Sequence, residues 1–103
     1  MNVQKLMKEA QRAQQKMAEA QERLASMTVE GNAGGGLVRV TATGDGRVTA
    51  VNIEPGAVDP EDLSLLEDLV TAAVADAQRR SRELQESEMG SAMGGLGGMP
   101  GMF

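Results

Sequence analysis

The chain has 103 residues, ten Lys and Arg against fifteen Asp and Glu, a net charge of −5, and neither His nor Cys. That length bounds it to one small domain. The missing thiol and imidazole exclude disulfides, Cys-based zinc sites, metal sites that need an imidazole, and catalysis by a Cys nucleophile or a His base.

Residues 2–27 are predicted to form one helix, because they contain no Gly or Pro and are dominated by strong helix formers. Val3, Ala10, Met17 and Leu24 fall seven apart, as do Leu6, Ala13, Ala20 and Met27. This is the alternating three-and-four spacing of a heptad seam. Leu6, Met17 and Leu24 are expected to anchor that seam, against either the rest of the domain or the helix of a second copy. At 1.5 Å per residue the helix is about 39 Å long, so its outer half is expected to pair across a dimer or to jut into solvent.

Gly31 to Gly36 end the helical pattern. Leu37 to Thr43 alternate and are rich in β-branched residues, with Val38 and Val40 on one face. Gly44-Asp45-Gly46 signals a hairpin turn, and Arg47 to Glu54 read as a second strand whose alternation is less clean. A shorter strand near 27–33 makes a third. Asp59-Pro60-Glu61-Asp62 then reads as a helix start with Asp59 as N-cap. Leu63, Leu66, Leu69, Val70, Ala73, Val74 and Ala77 form an apolar helical face, and the helix is expected to fade near 87–90. Residues 90–103 contain six Gly and three Met and read as a flexible tail. The organisation is therefore one α+β domain over 1–89 followed by that tail.

None of the Gly-rich segments carries the Lys and Ser or Thr of a phosphate-binding loop. The carboxylates near residue 60 are explained by helix capping, and no EF-hand pattern is present. No enzyme activity, metal, cofactor or small-molecule substrate is therefore expected. No apolar run reaches the roughly 18 residues of a membrane span, and the first residues lack the apolar centre of a secretion signal, so a cytoplasmic protein without a membrane partner is expected.

Charge is unevenly spread. Residues 1–27 carry a net +2, and residues 28–103 carry a net −7. Lys5, Lys8, Arg12 and Lys16 step by three and four along one edge of the first helix. A second cluster holds Arg79, Arg80 and Arg82. These cations read either as an ordinary solvated face or as phosphate contacts, which need only a local basic surface. Aromatic stacking of single strands is excluded, since Phe103 is the sole aromatic residue.

The chain resembles the YbaB/EbfC family of bacterial nucleoid-associated proteins. The resemblance runs through Met7-Lys8-Glu9-Ala10-Gln11, Gln15-Lys16-Met17, Gly34 to Thr41, Gly44 to Val48 and Val51 to Pro55. It continues through Asp59 to Asp62, Leu66 to Val70, Ala72 to Ala77 and Gly94 to Phe103. It implies an α-β-β-β-α subunit, a small antiparallel sheet and an intertwined homodimer in the nucleoid. It also implies double-stranded DNA binding with low sequence preference through basic residues of the terminal helices. Here those residues are Lys5, Lys8, Arg12 and Lys16, with Arg79, Arg80 and Arg82. The alternative is a protein–protein adaptor for a DNA recombination or replication enzyme with no DNA contact of its own.

Overall fold

The structure is a computed structural model that describes residues 2–92. Helix α1 spans Val3–Ser26, and the side chain of Asn2 caps it by accepting from the Lys5 N–H at 3.2 Å. Strands β1 (Thr28–Ala33), β2 (Val38–Thr43) and β3 (Val48–Ile53) follow, then a single 3-10 turn at Pro55–Ala57 and helix α2 (Leu63–Ala92). The sheet is an antiparallel meander in the order β1-β2-β3. The α-β-β-β-α order and the small antiparallel sheet agree with the sequence reading.

Two local details differ from expectation. Asp59 accepts from the Glu61 N–H at 2.9 Å inside a turn, while Asp62 accepts from the Leu65 N–H at 3.3 Å. The helix is thus capped by Asp62, three residues later than predicted, because the Asp59 carbonyl closes the turn on the Asp62 N–H. Helix α2 also continues through Gly90 to Ala92, past the expected start of the tail. The remaining tail, 93–103, lies outside the described residues.

The core is a two-layer arrangement of sheet and helix. Val38, Val40 and Ala42 of β2 are fully buried against Ala73 and Ala77 of α2. Leu66, Leu69 and Val70 add a partly buried rim. The small residues allow close approach. A Cβ on Gly31 would lie 2.2 Å from the Ala77 backbone nitrogen, so only glycine lets β1 and α2 touch there.

Helix α2 lies over β1 and β2, leaving β3 outside. A register shift explains the uneven pattern of β3. Ala42 faces Val48, Thr41 faces Ala50, Val40 faces Val51 and Val38 faces Ile53, so Thr49 is an extra residue. This bulge turns Val48, Val51 and Ile53 onto the face that carries the buried valines of β2. Yet the three remain 37%, 44% and 42% exposed.

Beyond the sheet, α2 meets α1. Ser81 Oγ donates to the Thr43 carbonyl at 2.8 Å, Gln85 Nε2 to the Gly44 carbonyl at 3.0 Å, and Arg23 reaches Glu88 at 3.1 Å. Ala20 and Leu24 are buried at this junction. A Cβ on Gly44 would lie 2.6 Å from the Leu24 carbonyl oxygen. Leu24 therefore belongs to the subunit's own core, as do Val38 and Val40. Met17 is half-buried and Leu6 is 51% exposed. The outer half of α1 extends beyond the layers of its own domain.

Candidate nucleic-acid interface

Lys5, Lys8, Arg12 and Lys16 all lie on the projecting part of α1 and are exposed. At about 100° per residue they fall within an arc of roughly 80°, and Lys5 to Lys16 spans about 16 Å along the axis. Among the described residues none of the four forms an ion pair. With Glu9 as the single acid in this stretch, the arm presents uncompensated positive charge. The apolar stripe of the same helix is centred roughly 125° away, so cations and apolar residues occupy separate faces.

The second cluster is built differently. Arg79 bonds the Asp76 carboxylate through Nη2 and Glu83 through Nη1, both at 2.7 Å. Arg80 Nε reaches the other Asp76 oxygen at 3.3 Å. That oxygen also accepts from the Asn32 N–H at 3.0 Å. The Asn32 hydrogen bond, then those of Arg79 and Arg80, hold the Asp76 carboxyl down at about 2, against an ordinary 3.8. Its partners push the Arg79 guanidinium up. Arg79 and Arg80 are therefore committed to a structural ion network, whereas Arg82 is exposed and outside it.

The two clusters are not brought together. Arg23 marks where α1 meets Glu88 of α2. Lys16 lies about 10 Å from that level toward the free end of α1, and Arg82 about 9 Å in the opposite sense along α2. Sequence reasoning misses Arg47. It is exposed, outside every ion pair among the described residues, and held in the turn that packs beside Leu24 and Gln85. No local pattern marks it, since its position follows from a tertiary contact.

Among the described residues no group of His, Cys, Asp and Glu is placed to hold a metal, and no helix is long and apolar enough to cross a membrane. What the fold does offer is a rigid base carrying a cationic arm.

Comparison with known proteins gives that arm a context. The model of the YbaB/EbfC DNA-binding family matches residues 1–96. A nucleoid-associated protein of Streptomyces avermitilis is 50% identical over 103 residues, covering 98% of this chain and 91% of its own. One of Saccharopolyspora erythraea is 48% identical, covering 98% and 87%. One of Ruminiclostridium cellulolyticum is 45% identical, covering 99% and 89%. An uncharacterized protein of Helicobacter pylori, solved by crystallography, shares the fold with a TM-score of 0.74 at 18% identity, over 84% of this chain and 91% of its own. The order of elements, the match along nearly the whole sequence and the identity to these relatives together make the chain a member of the YbaB/EbfC DNA-binding family.

Proposed function

We propose that the protein is a nucleoid-associated protein that binds double-stranded DNA as a homodimer, with low sequence specificity, through phosphate contacts from Lys5, Lys8, Arg12 and Lys16. The carrying observation is the row of four exposed, unpaired cations on a helix that projects from its domain. Cations aligned over about 16 Å match several successive phosphates of one strand, and each contact releases counterions. Nothing on the arm resembles a base-reading module, so affinity without sequence preference follows. The net −7 of residues 28–103 repels the duplex from the sheet end and orients the arms toward it. Arg82 and Arg47 are secondary contacts in this reading.

The dimer is supported by β3. Val48, Val51 and Ile53 lie on the apolar face of the sheet, remain exposed among the described residues, and belong to an edge strand. An open apolar edge invites pairing with a second copy. The sheet then carries two arms, and the chain acts in the nucleoid of the bacterial cytoplasm.

Titration of a labelled random duplex across a salt series tests this. Eight arm cations engaged together give a log–log slope of about −7, and a single arm about −4. If an intact dimer shows no binding at low salt, while a partner pull-down survives nuclease treatment, the adaptor reading for a recombination or replication enzyme replaces this one.

A further inference from the structure

Strand β1 has an outer edge on the side away from β2. Val29, Gly31 and Ala33 share the sheet face of Ala42, Val40 and Val38, which α2 covers, so Thr28, Glu30 and Asn32 lie on the other face. The Asn32 N–H points outward from the sheet, where it donates to the Asp76 carboxylate at 3.0 Å. Alternation along an antiparallel ladder turns the N–H and C=O of Thr28 and Glu30 outward as well. Among the described residues these outward groups have no hydrogen-bond partner. The edge is thus closed by Asp76 at Asn32 and open over residues 28–30.

A groove of about 410 Å³ lies beside the open stretch, lined by Val29 and Glu30 of β1 and by Arg80, Glu83, Leu84 and Ser87 of α2. Val29 and Leu84 are half-buried and supply its apolar surface, while Glu30 is exposed. Charge around the groove is unbalanced. Arg80 is committed to Asp76 and Glu83 to Arg79, whereas Glu30 forms no ion pair among the described residues. The free charge at the open edge is therefore negative.

These observations define what fits. Outward main-chain groups at strand spacing are matched by another extended chain. In an antiparallel pair, the residue opposite Glu30 exchanges both hydrogen bonds with it and sets its side chain on the same face. A carboxylate at that position favours a cation directly across from it. The neighbouring side chains of the added strand turn to the helix side, where Val29 and Leu84 favour an apolar group. A second copy paired symmetrically about Glu30 would instead set two carboxylates against each other.

We propose that the 28–30 edge of β1 is a docking site for an extended segment of a partner protein in which a Lys or Arg stands between apolar residues. The segment adds a fourth antiparallel strand, with its cation paired to Glu30 and one apolar side chain between Val29 and Leu84. Asp76 sets the register, because it already holds the Asn32 N–H. The proposal is independent of whether the α1 arm binds DNA.

The probe is an end-blocked peptide, Thr-Val-Lys-Val-Thr, titrated into the isotope-labelled full chain. Amide shifts are expected at residues 28–32 and 80–87, with residues 5–16 unaffected, and the Glu30 amide should exchange several-fold more slowly at saturating peptide. Replacing the peptide Lys by Glu should weaken binding about two- to fivefold, and Glu30→Lys in the protein should reverse that preference. Methylating the backbone nitrogen of the peptide Lys should abolish the shifts, because it removes the hydrogen bond to the Glu30 carbonyl. Absence of shifts at 28–32 in millimolar peptide, equal binding of the Lys and Glu peptides, or undiminished binding of the methylated peptide would overturn the proposal. So would a Glu30 amide already protected before peptide is added, since a second copy would then occupy the edge.

Discussion

The Asp76 carboxylate of α2 accepts a hydrogen bond from the backbone N–H of Asn32 at 3.0 Å, tying the outer edge of β1 to the helix that covers it. The same carboxylate gathers Arg79 and Arg80. One side chain thus blunts a strand edge and fixes the orientation of two cations. Its removal should loosen β1. Asp76→Ala is expected to lower Tm more than Asp76→Asn, whose amide oxygen can still accept from Asn32. Equal melting of both variants and the parent, followed by circular dichroism, would show the contact to be idle.

The same group sets an acid dependence. Its carboxyl titrates at about 2 in the folded chain and near 3.8 when unfolded, so the ionised form is favoured by folding. The stabilisation is complete above the unfolded value and is lost as pH falls through about 2. The Tm gap between the parent and Asp76→Asn should stay constant from neutral pH down to about pH 4 and shrink below it. A gap that widens on acidification would contradict the assignment.

Gly31→Ala should be among the most damaging single-methyl changes in the chain. The added carbon meets backbone atoms of Ala73 and Ala77, which cannot rotate away. A cost of about 2 kcal/mol is expected, a fall in Tm of roughly 10 °C. Thermal melts of Gly31→Ala and of Gly35→Ala separate crowding from backbone strain, since nothing lies within 4 Å of a Cβ at Gly35.

The arm cations and the α2 arginines should separate in DNA titrations. Lys8→Ala or Arg12→Ala is expected to reduce the salt slope by about one for each cation removed, at unchanged Tm. Arg79→Ala should lower Tm through Asp76 and leave the slope nearly unaltered. The reverse pattern would move the phosphate contacts from α1 to α2.

Dimerisation should respond to β3 and not to the tip of α1. Val51→Asp or Ile53→Asp places a charge on the uncovered apolar face and is expected to yield monomer by sedimentation. Leu6→Asp should leave the assembly intact. Leu24→Asp is different again, because Leu24 is 2% exposed inside its own subunit and the variant should unfold the junction of the helices.

Much of the fold is legible in the residues themselves. Periodicity delimits α1, and Gly44-Asp45-Gly46 announces the hairpin, because both signals are local. The extra residue Thr49 is not legible. A bulge leaves only an irregular alternation until the register with β2 is known. Nor can spacing reveal that α2 stops short of β3, which depends on where the helix lands. The pairing of Arg79 and Arg80 is within reach, since Asp76, Arg79, Arg80 and Glu83 stand three and four apart on a helix. Asp59 misleads as a cap because Asp-Pro-Glu-Asp satisfies a turn and a helix start equally well.

The close approach of Gly44 to Leu24 has a mechanical meaning. Lys5 sits about 29 Å along α1 from Leu24, so α1 is a lever with its fulcrum against the β2–β3 turn. If the arm cations hold phosphates as proposed, a load applied there is multiplied by that length and resisted by Gly44, Gln85 and the Arg23–Glu88 pair. In the proposed reading the compliance of the grip would then be set at Gly44, in the turn that also holds the secondary contact Arg47. Substitutions there would alter how far the arms yield under a bending double helix while leaving every cation in place.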